Sequence, residues 1–294
     1  MIHNQHNELA DIFTGILRRQ LTPDAYAWLN QKKDSIPGSA SFNAAFAAVP
    51  RKTGRQTIQI DEAIVQKISA VRQGLSVQGW PADRLSRVWL LMHLDSADQQ
   101  KYFEGIESLF PAGEVNELVA LYSALPVLAH PEMWVSRCAE GVRNNIAGVL
   151  TAIMCNNPYP SENLDDAAWN QLVLKAFFTE KTIDAIIGLE ERRNLPLAET
   201  LSDYAHERWA AHRPVNPQLW RCVAPFINEN FFPDIQRIAG SDNPLEREAA
   251  ALACAECQYS PAKQLIPVNL TKAIAAGTLS WKTLAAKTND YVLQ

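Results

Sequence analysis

The stretch "DYAHERWAAHRP", residues 203–214, gathers two histidines, two acids, two arginines and a tryptophan. A histidine beside a carboxylate is the raw material of general acid–base catalysis, so His206 with Glu207 is a candidate acid–base pair. The stretch also starts like the zinc-protease pattern H-E-x-x-H, but Ala210 stands where the second ligand belongs. His212 is six residues on and projects from another side of the helix. No G-x-S-x-G, phosphate-binding loop or dinucleotide fingerprint occurs elsewhere. Cys254 and Cys257 form a C-x-x-C inside "AAALACAECQ". A redox reading needs a βαβ context that is missing, and a zinc reading needs two further ligands, so core or semi-exposed free cysteines are expected. Accordingly no catalytic residue, metal ligand or cofactor is assigned.

Binding is the better-supported chemistry. On a helix starting near Pro196, Arg208 falls within the stripe Leu197, Leu201, Tyr204, Ala205 and Ala211. Asp203, His206, Glu207 and Arg213 take the opposite face. A guanidinium on a core face needs a carboxylate or carbonyl, and Asp165, Asp166 and Glu190 are candidate partners. Upstream, "CNNPYPSENLDDAAWNQLVLKAFF" has an extended Asn157-Pro-Tyr159-Pro turn, then a helix apolar almost all round. Asn170 lies inside that apolar surface, where an amide without partners would cost about 1–3 kcal/mol. It could bond the Pro-Tyr-Pro turn or, with Lys175, face a ligand. A long helix expected over 131–154 places Gly141 and Gly148 on one side. They either admit a close-packed neighbour or floor a polar channel edged by Arg143 and Asn144. The candidate ligand-binding set is Arg143, Asn144, Asn157, Tyr159, Trp169, Asn170, Lys175, Asp203, Tyr204, His206, Glu207 and Arg208.

The elements that carry these residues read as helices. "TPDAYAWLN" has Thr22 as N-cap and Pro23 at the first helical position. "IDEAIVQKISAVRQGL", "PADRLSRVWLLMHL", "SADQQKYFEGIESLF" and "GEVNELVALYSAL" follow, each amphipathic and joined by short loops. Only "RQTIQI" alternates like a strand, and it stands alone. The expected fold is all-α, an array of antiparallel helices with HEAT-like, α-solenoid character in "SDNPLEREAAALACAECQYSPAKQLIP". A single domain over 1–294 is expected. A subdivision near 156–161 would separate an N-terminal part, 1–155, from a core and C-terminal part, 162–294.

Composition narrows the partners. The chain has 294 residues, 47% of them hydrophobic, and a net charge of −5 with both signs interspersed. That suits a real core and offers no basic stripe to nucleic acid. No apolar run approaches the roughly 18 residues of a membrane span, since "LVALYSALPVLA" is short and broken by Pro126. "MIHNQHNELADIF" lacks the features of an export signal, so a cytoplasmic location is expected.

The segments "NPYP", "WNQLVLKAFF" and "DYAHERWAAHRPVNPQLWR", in this order and spacing, resemble the EboA family over roughly Arg143 to Phe226. Family members typically read "AGRPV" where this chain reads "AHRPV", so His212 replaces a glycine and stands outside any shared site. The resemblance implies metabolite traffic. Its gene cluster usually encodes a prenyltransferase-like membrane enzyme and several soluble proteins associated with delivering a small metabolite towards the periplasm. By that implication the chain is a non-catalytic binding or scaffold protein. Its partners would be a small prenylated or aromatic metabolite and the other proteins of the cluster. The alternative is an enzyme acting on that metabolite through His206 and Glu207.

Overall fold

The computed structural model describes residues 2–292. Among them 67% are helical, in eighteen α-helices, with no strand. "RQTIQI" contributes a single bridge, Thr57 to Pro81, with Ile58 N–H donating to the Trp80 carbonyl. With no second ladder partner it stays a bridge. No helix among the described residues is long and apolar enough to cross a membrane. The chain packs as two compact units, 1–165 and 166–294.

The first unit holds α1 (Ile2–Gln20), α2 (Pro23–Lys32), α3 (Ala40–Thr53), α4 (Glu62–Val71) and α5 (Ala82–Met92). It continues with α6 (Gln99–Glu107), α7 (Val115–Ala124), α8 (Val135–Val142), α9 (Ala147–Met154) and α10 (Tyr159–Asn163). Polar caps set the starts: Thr22, Ser39, Asp61 and Asp98 each accept a backbone N–H of the first turn through a side-chain oxygen. The start expected at Ser96 moves to Asp98 because Asp95 holds the Ala97 N–H in a turn first.

At the centre of this unit lies α5, packed against α1, α3 and α7. It is buried nearly throughout, including Asp83 and Arg87. Arg87 donates to Asp83 at 3.1 Å and to the Phe46 carbonyl at 3.1 Å, which satisfies a charge that would otherwise be prohibitive there. Burial lowers the Arg84 guanidinium to about 9, and its Nε donates to Ser123 on α7 at 2.8 Å.

The long helix expected over 131–154 is a misreading. A 3-10 turn (Pro131–Trp134) leads into α8, which stops at Val142, and α9 begins at Ala147. The break is local chemistry: the Asn144 side chain accepts the Ile146 N–H at 2.7 Å, a turn that competes with the helix ladder. Gly141 is the close-approach glycine. A β-carbon there would lie 2.4 Å from the Tyr122 ring and 2.6 Å from Ile153, so its face is filled by side chains and floors no channel.

The second unit holds α11 (Asp166–Phe178), α12 (Leu195–Ala210), α13 (Leu219–Val223), α14 (Phe232–Ala239) and α15 (Pro244–Glu256). It ends with α16 (Ser260–Lys263), α17 (Val268–Ala275) and α18 (Trp281–Val292). Trp169 and Phe177 are buried as the apolar pattern of α11 requires, while Phe178 is 67% exposed. Helix α11 packs on α12, and α15 is the hub for α13, α14, α17 and α18. Its Ala249–Cys254 stretch is buried, since alanines let neighbouring helices approach closely. None of the five cysteines forms a disulfide, and Cys257 donates weakly to the Cys254 carbonyl.

Candidate functional site

The first unit contains a cavity of about 930 Å³, within the range typical of small-molecule sites. Pro126 and Pro131 make it possible. Neither can continue a helix, so the chain after α7 runs irregularly, through a 3-10 turn (Leu125–Val127) and a left-handed His130 at φ 55°. Irregular backbone leaves carbonyls and amides without ladder partners, and side chains from several elements take them up. Arg72, just past α4, donates Nε to the Pro126 carbonyl at 2.9 Å. Tyr102 of α6 accepts the Ala129 N–H at 3.3 Å, and Trp134 donates to the Ala129 carbonyl at 2.9 Å. Tyr159 of α10 donates its hydroxyl to the Pro131 carbonyl at 2.5 Å. The segment is thereby fixed as one wall.

Opposite this wall stand the start of α1 and the end of α5 with the loop after it, so His6, Leu9, Met92 and Leu94 add lining. At the rim Arg72 grips Glu162 with both terminal nitrogens, at 2.6 and 2.5 Å. Burial pushes the Tyr102 hydroxyl up to about 12 and raises Tyr159 above the ordinary phenol range as well, so both stay protonated at neutral pH. Such a room can seat a largely apolar molecule.

The twelve residues singled out from the sequence divide between the units, four in the first and eight in the second. In the first unit only Tyr159 lines the cavity. Asn157 is buried and structural: its amide nitrogen donates to the Ala152 and Tyr122 carbonyls and its oxygen accepts the Tyr159 N–H, which shapes the Asn-Pro-Tyr-Pro turn. Asn144 forms the turn after α8, and Arg143 beside it is exposed.

In the second unit Asn170 exchanges two hydrogen bonds with Asn194, at 3.0 and 2.9 Å, so its amide partner is another side chain. Asn194 also caps α12 through the Leu197 N–H, so one amide pair joins α11 to the first turn of α12. Trp169 is fully buried beneath the Arg192 guanidinium, which pairs with Asp166. Lys175 is half-buried, and its carbonyl accepts from the Thr179 N–H and hydroxyl near the end of α11.

Arg208 has no carboxylate of the expected kind. It is half-buried, donates Nε to the Pro214 carbonyl at 2.9 Å and lies over the Tyr204 ring at 6.0 Å. Asp166 goes to Arg192, while Glu190, in a turn and not on a helix, goes to Arg221. The buried carboxylate of α12 lies on its other side, at Asp234 in the first turn of α14. Ser202 donates to one oxygen at 2.6 Å and His206 Nε2 meets the other at 2.6 Å. Glu207 and Asp203 are exposed; adjacent helix residues diverge in direction, so Asp234 and not Glu207 is the partner of His206. Below them Trp209 stacks on Trp220 at 5.7 Å and carries Arg237 at 4.3 Å.

Two features were out of reach of sequence reasoning. The cavity wall draws on residues 86 apart or more, such as His6 and Met92, and pattern reading within a window cannot pair them. The sequence signal available was the pair of prolines in "LPVLAHP", which forbids a helix there. Asp234 was missed because it sits three residues into a short helix, where an acid also suits the helix dipole.

The chain matches the family described as "Metabolite traffic protein EboA" over residues 9–224, and it belongs to that family. Neither the curated proteins nor the solved structures include a match.

Proposed function

We propose, with membership of that family as premise, that the protein binds and carries a small metabolite without transforming it. The molecule would sit in the cavity walled by residues 125–131, and the protein would hand it to the other proteins of its gene cluster. The reading places this step at the cytoplasmic end of traffic towards the periplasm, a compartment that suits five cysteines in no disulfide. The observation that carries it is the 930 Å³ room itself, whose irregular wall is held rigid by Arg72, Tyr102, Trp134 and Tyr159. A preformed room avoids the ordering cost that a collapsing site would meet on binding.

Filling the room is the test. Val71 lines it and is only half-buried, so Val71→Trp can project bulk inwards without rebuilding the core. Protein purified from the native host should release a small molecule on denaturation, detectable by mass spectrometry, and Val71→Trp should carry several-fold less. An equal load on both proteins, or none on the wild type, overturns the reading.

A further inference from the structure

The wall chemistry of this cavity limits what it can hold; the argument rests on the reading that the cavity is the binding site. Among the described residues three ring side chains line it: His6, His130 and Tyr159. Each is tied to a backbone carbonyl. His6 Nε2 meets the Met92 carbonyl at 2.9 Å, and His130 Nε2 meets the Ser96 carbonyl at 2.9 Å. The Tyr159 hydroxyl meets the Pro131 carbonyl. A carbonyl oxygen can only accept, so in all three pairs the ring group must be the donor. This settles the tautomer of both imidazoles: Nε2 carries the hydrogen, and in the neutral ring Nδ1 is an acceptor. The phenol oxygen likewise keeps only lone pairs. The ring groups therefore keep acceptors and no free donor, beside the amides of Gln5, Asn7 and Asn163, which can take either part.

The charged groups agree. Asp95, Glu132 and Glu162 line the cavity against one arginine, Arg72, and that guanidinium is already held bidentately by Glu162. An anionic ligand would meet carboxylates beside an arginine that is already engaged, and it would have to leave water to do so. Leu9, Val71, Met92, Leu94, Val127 and Leu128 add apolar lining.

We infer that the cavity selects an uncharged, largely apolar molecule whose polar groups are hydrogen-bond donors, hydroxyl or N–H, and that it rejects carboxylates and phosphates. A prenyl diphosphate is thus excluded as the bound species, whereas an alcohol, a phenol or an N–H heterocycle is accepted.

Three probes on one scaffold separate the terms: naphthalene-2,6-diol, 2,6-dimethoxynaphthalene and naphthalene-2,6-dicarboxylate. They are titrated calorimetrically into the full chain at about pH 8, above the ordinary imidazole range. The diol should bind roughly tenfold or more tighter than the diether, because only the diol donates, and the dicarboxylate should bind weakest. In His6→Phe, which keeps a ring and loses an acceptor, the diol's advantage should shrink several-fold while the diether is little changed. A diether as tight as the diol, or a dicarboxylate tighter than either, overturns the inference and leaves the binding site standing. If no probe binds while the load from the native host still falls in Val71→Trp, the inference fails alone. If no probe binds and that load is unchanged, both readings fail together.

Discussion

His212 stands where the backbone favours glycine. It closes α12 at φ 54°, in the left-handed region that glycine enters without steric cost. Around it the His212 N–H donates to the Trp209 carbonyl at 3.0 Å and the Arg213 N–H to the Arg208 carbonyl at 2.8 Å. That pair of bonds is a Schellman motif, which places His212 at the position that favours glycine. The position is therefore a helix stop, and histidine is among the residues that tolerate the left-handed conformation. Its side chain is exposed, so little is lost by removing it. His212→Gly should leave the fold intact and stabilise it by about 0.5–1 kcal/mol, the relief of left-handed strain less the extra freedom glycine has when unfolded. A β-branched residue there should destabilise. Differential scanning calorimetry of the variants checks both signs; a lower melting temperature for His212→Gly would show that the imidazole itself contributes.

Helix α12 shows how an element distributes its polar groups. Its apolar pattern turns Leu197, Leu201 and Ala205 inwards, and all three are buried. Arg208, aligned with them by period, reaches past the helix end to the Pro214 carbonyl. A long flexible side chain near a terminus can do this, whereas a short one in mid-helix cannot. Ser202 is short and 6% exposed, so its hydroxyl depends on Asp234, itself 6% exposed. The two faces therefore differ in what a truncation costs. Arg208→Ala should cost about 1 kcal/mol or less, as for one solvent-accessible hydrogen bond. Asp234→Ala should cost about 1–3 kcal/mol, because it strands the buried Ser202 hydroxyl as well as releasing His206. Urea unfolding of the two variants ranks them. Arg208→Ala as the more damaging of the pair would mean that α12 relies on its cation and not on the Asp234 contact.

At the scale of the molecule, burial controls reactivity. Cys138, Cys222, Cys254 and Cys257 are buried, and Cys155 is intermediate. Loss of hydration pushes the Cys138, Cys222 and Cys254 thiols up to about 12, so the nucleophilic thiolate is scarce at neutral pH. Folded protein should accordingly consume Ellman's reagent slowly, Cys155 first, and release all five equivalents on denaturation. Rapid modification of Cys254 or Cys257 in the native state would show that α15 opens readily. These thiols then report on the packing of both units.

How much of this was legible beforehand depended on the range of the interaction. The all-α class, the Thr22 cap and the buried faces of α11 and α12 follow from periodicity and capping, which act between residues three or four apart. The buried C-x-x-C followed from its alanine-rich surroundings for the same reason. The break between α8 and α9 was also local, but an asparagine side chain competing with one helix bond is a contest of about 1 kcal/mol, and composition does not rank it. The partners of Asn170, Arg208, His206 and Glu190 were beyond sequence reasoning, since each is supplied by another element and charge alone offered several. The cavity lay furthest from view. It exists because Arg72, Ser96, Tyr102 and Tyr159 converge on the irregular residues 125–131 while His6 reaches Met92, and only the folded chain brings them within hydrogen-bonding distance.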